Sequence, residues 1–230
     1  MGRFKFYGQG LPAIKAGELK GKLVVVEGTD GVGRSTHIEL LKQWLESKGH
    51  AVLDTGMTRS ALAGKGLRAA KKGNTLGWIT TSLFYATDFA DRLENEMIPA
   101  LRAGFVVLTD RYIYSLMARS TIRGADPRWM KGVYEFALKP DIIIYLRANI
   151  DDLVKRVAHT AGFNYWESGM DLHLGEDMYD SFIEYQSRLL AVFDHMADEY
   201  GFHVVETSAN IENVFGQIKH KLEPLLIPAV

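Results

Sequence analysis

The sequence predicts an α/β fold: a five-stranded parallel sheet with helices on both faces. Short apolar runs rich in β-branched residues recur along the chain without alternation, which is typical of strands buried on both faces. Segments with helical periodicity separate these runs. The 230 residues are 47% hydrophobic and 24% charged, which suits one globular α/β domain with small insertions.

The first predicted strand, residues 23–26, leads into a glycine loop and then a helix that ends near residue 49. The loop glycines are Gly28, Gly31 and Gly33. This order is the setting of a phosphate-binding loop, because glycines let the N–H groups of the loop and of the helix N-terminus point at an anion. Ser35 and Thr36 follow, and Ser35 stands where a hydroxyl would bind Mg²⁺. The usual pattern G-x-x-x-x-G-K-[ST] asks for lysine at position 34, where this chain has Arg34. We predict phosphate binding here, and a glycine turn without a ligand is the alternative.

The remaining strands and helices alternate. We predict strands at residues 51–55, 105–109, 141–146 and 202–207. We predict helices at residues 75–102, 127–139, 151–159, 178–200 and 211–222. Residues 56–74 are predicted to form a cationic loop, which is either a solvated surface or a grip on an anionic substrate. Residues 1–20 are interpreted as an N-terminal arm, residues 21–227 as the domain, and residues 158–177 as its lid.

Composition excludes several classes of protein. The net charge is −1 and the pI about 6.7, so the chain has no overall positive charge that would attract a nucleic acid polymer. The absence of cysteine excludes disulfides, thiolate metal sites and cysteine nucleophiles, and it fits a reducing compartment. The apolar runs are too short to span a membrane, and the N-terminus lacks the apolar stretch of a signal peptide. We therefore expect a cytoplasmic enzyme without membrane partners.

Three stretches together resemble the thymidylate kinase family of nucleoside monophosphate kinases. They are EGTDGVGRST at residues 27–36, DRYIYS at residues 110–115 and KPDIIIYL at residues 139–146. The resemblance covers roughly residues 20–225, and the order and spacing of the motifs carry it more than any single one. It implies a P-loop sandwich with a five-stranded parallel sheet and a mobile lid.

The resemblance also implies site roles. The three loop glycines with Arg34, Ser35 and Thr36 would hold the phosphates of ATP, and Ser35 with Asp110 would hold Mg²⁺. Asp30 would contact the sugar hydroxyl of the acceptor nucleotide. Its phosphate would be held by two arginines, Arg59 and Arg111, a task that suits a planar donor fork. The catalytic candidates are Arg34, Asp110 and Arg111, since phosphoryl transfer needs mainly positioning and fixed positive charge.

The chain departs from the family pattern where the base of the acceptor would be read. The family's F-x-x-D-R supplies a stacking aromatic and a base-reading arginine, but here the aligned residues run from Tyr85 to Phe89 and the arginine is gone. Arg92 lies three residues further on nearly the same helical face and is the candidate substitute. Arg119 is a second candidate for contact with the base. The lid contains no arginine, so Arg34 would carry charge that many bacterial relatives supply from the lid.

The leading functional prediction is a kinase that uses ATP and Mg²⁺ to phosphorylate dTMP to dTDP. One alternative is a P-loop kinase with a different phosphorylated acceptor. The other is a nucleotide-binding protein without turnover. The resemblance also implies a homodimer.

Overall fold

The computed structural model describes residues 5–12, 14–73, 76–160 and 162–226. It contains a five-stranded parallel sheet with helices around it, so the predicted fold class is confirmed. The strands are β1 (Lys22–Gly28), β2 (Val52–Gly56), β3 (Val106–Asp110), β4 (Ile142–Arg147) and β5 (His203–Glu206). Their order in the sheet is β2-β3-β1-β4-β5. The apolar β-branched runs located every strand to within three residues.

The helices agree less closely with the sequence-based expectations. They are α1 (Arg34–Ser47), α2 (Gly64–Gly73), α3 (Trp78–Arg92), α4 (Ile98–Arg102), α5 (Ile113–Ile122), α6 (Pro127–Val133), α7 (Ile150–Ala158), α8 (Met178–Tyr200) and α9 (Ile211–Leu226). Short 3₁₀ turns lie at Ala16–Glu18 and Met170–Leu172, and a π turn at Leu93–Met97 separates α3 from α4. The chain is helical without a break from Trp78 to Arg102, so the predicted helix at 75–102 is present apart from its first residues, of which residue 75 lies outside the described residues.

Two helices were missed for identifiable reasons. The predicted loop 56–74 contains α2, which begins and ends in glycine and buries only Leu67 among its large apolar side chains, so it lacks an apolar stripe. Helix α5 is buried on almost all sides, so it too lacks the two-sided pattern that marks a surface helix. The predicted helix 127–139 ends early, at Val133.

Contacts along the chain define two compact units. The first unit comprises Met1–Val25 and Lys42–Ile142, and the second comprises Val26–Leu41 and Ile143–Val230. In the first unit, β2 and β3 pair in parallel, from Val52 opposite Val106 to Gly56 opposite Asp110. The core of this unit includes three rings, one on α3, one on the residue before α5 and one on the residue after α6. The ring of Phe89 meets Tyr112 and Tyr134 edge-on, with centroids 5.0 and 5.9 Å apart.

In the second unit, β4 and β5 pair in parallel, from Ile144 opposite His203 to Arg147 opposite Glu206. Helix α8 packs on this pair, and Tyr145 stacks on Phe193 with ring centroids 5.4 Å apart. The ends of α8 agree with the sequence-based prediction. Asp177 caps the first turn by accepting a bond from the amide of Asp180, and Gly201 ends the helix in the left-handed conformation.

The described part of the N-terminal segment pairs with residues 135–139 of the first unit. Leu138 lies opposite Phe6 in an antiparallel bridge. The amide of Tyr7 donates to the carbonyl of Ala137 at 3.0 Å, and the amide of Lys139 donates to the carbonyl of Lys5 at 2.7 Å. Residues 1–4 and 13, which belong to the predicted arm, lie outside the described residues. Within the described ranges, no helix combines the length and the apolar character needed to cross a bilayer.

Candidate active site

In the second unit, the loop between β1 and α1 has the backbone geometry of an anion-binding turn. Gly28 has φ 148°, and a Cβ there would lie 2.5 Å from the carbonyl oxygen of Leu146, so no larger residue fits. Gly33 has φ 95°, but a Cβ there would meet no atom within 4 Å. The loop is therefore packed tightly on one side and has open space beside Gly33. The first turn of α1 follows at once, and its free N–H groups are donors of the kind that bind anions at helix N-termini.

The predicted ATP-binding side chains share this loop and the first turn of α1. Ser35 and Thr36 are exposed, while Arg34 is half-buried. Arg34 folds back over the loop: its Nη1 donates to the carbonyl of Gly28 at 2.6 Å and also to the carbonyl of Thr29. The guanidinium thus offsets the partial negative charge of two carbonyls in the loop itself. Both bonds come from one guanidinium nitrogen, so Arg34 has a structural role in the loop in addition to carrying a positive charge.

A cavity of about 390 Å³ adjoins the loop within the second unit. Its lining comes from the loop, α1, α7 and the start of α9: Gly31, Val32, Gly33, Thr36, His37, Arg156, Thr160, Thr207, Ala209, Asn210, Ile211 and Val214. Arg156 holds the wall together, because Nη1 donates to the Thr207 hydroxyl at 2.9 Å and Nη2 donates to its carbonyl at 2.5 Å. Burial, together with the charge of Arg156, lowers the pKa of His37. The imidazole is therefore neutral at pH 7.

Sequence reasoning assigned Gly31, Gly33 and Thr36 to ATP but predicted none of the other residues that line this cavity. Its residues belong to three separate segments that have no shared spacing, and only the tertiary structure brings them together. The one available signal was Arg156, a cation at the end of a short helix that leads into the predicted lid.

Asp30, the predicted contact for the acceptor's sugar, is 3% exposed in the second unit. The amide nitrogen of Gln186 on α8 donates to its Oδ2 at 3.1 Å and to the carbonyl of Glu167 in the lid segment at 2.7 Å. Gln186 therefore orients Asp30 and connects it to the lid, a role that sequence reasoning missed. The lid segment packs on α8, with Phe163 edge-on to Phe182 at a centroid distance of 4.9 Å.

The first unit brings together Arg59 and Asp110 at the carboxyl ends of β2 and β3. Gly56 lies between them: a Cβ there would be 2.8 Å from the Asp110 carbonyl oxygen and 3.3 Å from the Arg59 Nε. Arg59 is exposed and pairs with Asp54, with Nη1 2.8 Å from Oδ1. The next residue, Arg111, has φ 66°, an uncommon conformation for a residue other than glycine. Strand ends of this kind are where α/β sheets place ligands.

The residues assigned to the base of the acceptor differ in accessibility. Tyr85 and Arg119 are half-buried. By contrast, Phe89 is 0% exposed and Arg92 is 1% exposed. Contact between a base and either of these two side chains would require the side chain to become exposed, so their assignment to the base stays a prediction.

Comparison with known proteins identifies relatives over most of the chain. The family model described as thymidylate kinase matches residues 26–218. A probable thymidylate kinase 2 from Saccharolobus solfataricus is 36% identical over 199 residues, which are 85% of this chain and 92% of the relative. A probable thymidylate kinase from Pyrococcus horikoshii is 34% identical over 145 residues, 60% of this chain and 71% of the relative. A third, from Thermococcus gammatolerans, is 27% identical over 220 residues, 91% of this chain and 100% of the relative.

The family match spans both the loop geometry of the second unit and the strand ends of the first. On these grounds, the chain belongs to the thymidylate kinase family.

Proposed function

We propose that this chain is a thymidylate kinase, which transfers the γ-phosphoryl group of ATP to dTMP and releases ADP and dTDP. The observation that carries the proposal is the loop from Gly28 to Gly33, shaped for phosphate and followed by the exposed hydroxyl of Ser35, in a member of the thymidylate kinase family. The names of the relatives support dTMP as the acceptor nucleotide, and the loop supports the binding of ATP through its phosphates.

ATP binds with its phosphates along the loop and the first turn of α1. The cavity beside the loop takes the adenosine, because it adjoins Gly33 and its volume of about 390 Å³ is in the range of small-molecule sites. Arg156 keeps the walls of this cavity in place through Thr207. Arg34 supplies the fixed positive charge that stabilises the phosphoryl group during transfer.

The acceptor is held through its sugar and its phosphate. Asp30, oriented by Gln186, accepts a hydrogen bond from the sugar hydroxyl. Arg59 and Arg111 donate to the phosphate, each as a planar fork that matches its oxygens. Tyr85 and Arg119, which are half-buried, are the accessible candidates for contact with the base.

Mg²⁺ is the expected metal ion. Proteins usually hold Mg²⁺ through one or two side-chain oxygens, with substrate phosphates and water as the other ligands, so the phosphates of ATP would complete the coordination. The Ser35 hydroxyl and the Asp110 carboxylate are hard oxygen ligands and fit this ion. When bound, Mg²⁺ neutralises phosphate charge during transfer.

The test of the proposed function is phosphotransfer from ATP to a panel of dTMP, dUMP, dCMP, UMP and dGMP. We expect turnover of dTMP, with weaker discrimination against other pyrimidine monophosphates than in typical family members. A site rejects an analogue strongly when the analogue leaves a buried polar group of the protein without its hydrogen bond. The family's base-reading arginine is missing here, so this source of discrimination between bases is lost. ATP binding with turnover of none of these nucleotides would favour an unrelated acceptor or a protein without turnover.

The binding of ATP by the loop can be tested at Gly33, with Gly49 as a control in a similar backbone conformation. Both have positive φ, and a Cβ at either position meets no atom within 4 Å. Alanine at either position should reduce the free energy of unfolding by a similar amount, about 1 kcal/mol. Only Gly33→Ala should also weaken Mg²⁺·ATP binding, by about tenfold or more, because loop amides that bond a phosphate are displaced. Calorimetric titration checks this, and equal ATP affinity in the two variants would contradict the assignment of the loop.

A homodimer in the cytoplasm completes the proposal. Exposed apolar side chains on α3, at Trp78, Ile79 and Leu83, support the homodimer. Sedimentation velocity of the full chain distinguishes one copy from two.

A further inference from the structure

The loop after β2 in the first unit carries Arg59 in a strained backbone. Thr58, the residue before it, has φ 64°. A β-branched residue in this region is a conformational outlier that persists only when its surroundings hold it there. Both peptide groups of Thr58 are in fact bonded to side chains. Its amide donates to Asp88 Oδ2 at 3.0 Å, and its carbonyl accepts from Arg68 Nη1 at 2.6 Å.

Asp88, on α3, binds the loop on both sides of Arg59. While Oδ2 accepts from the amide of Thr58, Oδ1 accepts from the amide of Ser60, also at 3.0 Å. The carboxylate is 1% exposed. Two backbone bonds from one carboxylate leave the residue between them little freedom, so the direction in which Arg59 leaves the backbone depends on where Asp88 sits.

Arg92, one turn further along α3, holds Asp88 in turn. Its Nε lies 3.2 Å from Asp88 Oδ2, and its Nη1 lies 3.5 Å from the hydroxyl oxygen of Thr55 on β2. The guanidinium is 1% exposed, and a buried carboxylate needs such a partner to remain charged. Thr55 donates its own proton to Glu96 Oε2 at 3.0 Å, so the hydroxyl is oriented to accept from Arg92.

A second anchor supports the same loop. The hydroxyl of Ser60 donates to Asp91 Oδ2 at 2.5 Å and accepts from the amide of Ala63 at 2.9 Å. Hydrogen bonds from Ser60 and Asn95 lower the pKa of Asp91, so its carboxylate is charged at neutral pH. Two carboxylates on α3, Asp88 and Asp91, therefore bond this loop, and Arg92 bonds the first of them.

We propose that Asp88 and Arg92 are positioning residues for the acceptor phosphate: the buried pair sets the loop conformation from which Arg59 reaches that phosphate. The proposal rests on the proposed function. In this proposal Arg92 positions the loop, a role that a buried side chain can have, and does not contact the base. Arg92 acts through Asp88 and the loop, and it touches no substrate.

The test uses Arg92→Lys, which keeps the charge and removes the planar fork. We expect KM for dTMP to rise by about tenfold or more, the size of one lost bond to a charged group. The inhibition constant of thymidine, which has no phosphate, should change by less than about twofold, and so should the preference for dTMP over dUMP. Arg188→Lys is the matched control, because Arg188 pairs with Glu184 at the same i,i+4 spacing at 2.7 Å but is exposed. It should leave all these constants unchanged.

A double-mutant cycle then asks whether Arg92 acts through Arg59. In an Arg59→Ala background, Arg92→Lys should raise KM for dTMP by less than about twofold further, because the side chain that it positions is already gone. Equal effects with and without Arg59 would overturn the proposal and leave a general structural role. Loss of the preference for dTMP over dUMP in Arg92→Lys would overturn it in favour of contact with the base.

Hydrogen exchange provides a readout that does not depend on turnover. In Asp88→Asn, one acceptor oxygen is lost and one remains, so the amide of Thr58 or of Ser60, or both, should exchange about tenfold faster or more. The amide of Val106, bonded to the carbonyl of Ala51 at 2.9 Å, is the internal reference and should not change. Unchanged exchange at Thr58 and Ser60 would overturn the proposal. If the parent enzyme failed to phosphorylate dTMP, the proposed function would fall, while exchange and dTMP binding by calorimetry would still decide the role of the pair.

Discussion

Replacing Arg34 with alanine is expected to slow phosphoryl transfer to dTMP by on the order of 10³-fold, the scale of a cation that stabilises the transition state. The effect on ATP affinity should be weaker, because the amides of the loop and of the first turn of α1 still hold the phosphates. Single-turnover rates and calorimetric ATP titration separate the two effects. Some loss of thermal stability should accompany the change, since the bonds from Arg34 to the carbonyls of Gly28 and Thr29 disappear.

Two further variants sharpen this prediction. Arg34→Lys should retain part of the rate, because the charge stays while the guanidinium that bonds the loop carbonyls is lost. Arg128→Ala removes one positive charge from a side chain that is 91% exposed, and it should leave the rate unchanged. An Arg34→Ala enzyme nearly as fast as the parent would show that another group stabilises the transferring phosphoryl group.

Removing the side chain of Arg111 should lower kcat/KM for dTMP by about 10²- to 10³-fold, the usual effect of losing one preorganised donor to developing charge. Its φ of 66° allows two variants to be compared. Arg111→Gly and Arg111→Ala both lose the guanidinium, so they should be equally impaired. The glycine variant should be more stable by about 1 kcal/mol, because only alanine keeps the strain of a Cβ at positive φ.

Thermal unfolding and steady-state kinetics of the two variants check this together. At this chain length, about 1 kcal/mol corresponds to a difference in Tm of roughly 2–4 °C. Either variant retaining the parental kcat/KM would remove Arg111 from the acceptor site. An alanine variant at least as stable as the glycine variant would show that the backbone at this position relaxes.

Local sequence patterns were enough to predict the five-stranded sheet, the glycine loop after β1 and the family. A buried parallel strand shows as a continuous β-branched run whatever packs against it, so all five strands were found. The glycine loop between β1 and α1 could be recognised even with arginine at position 34, because glycines mark positions where the backbone has positive φ or packs closely. Motif order along the chain then identified the thymidylate kinase family.

Helices without an apolar stripe were not readable in this way. Helix α5 is buried on nearly every side and α2 has Leu67 as its one large apolar residue, so neither shows the periodicity that marks a helix half in solvent. Their existence depends on what the rest of the fold places around them.

Tertiary structure alone decided which charged side chains meet. Sequence spacing placed Arg92 on nearly the same helical face as Phe89. For that reason Arg92 was predicted to contact the base. The fold buries it against Asp88 and Thr55, and this placement is the basis of its proposed positioning role. The cavity beside Gly33 and the bond from Gln186 to Asp30 likewise join residues far apart in the chain. Periodicity records which face of an element is apolar, but the partner of a buried charge is set by packing between distant segments, and no local pattern encodes it.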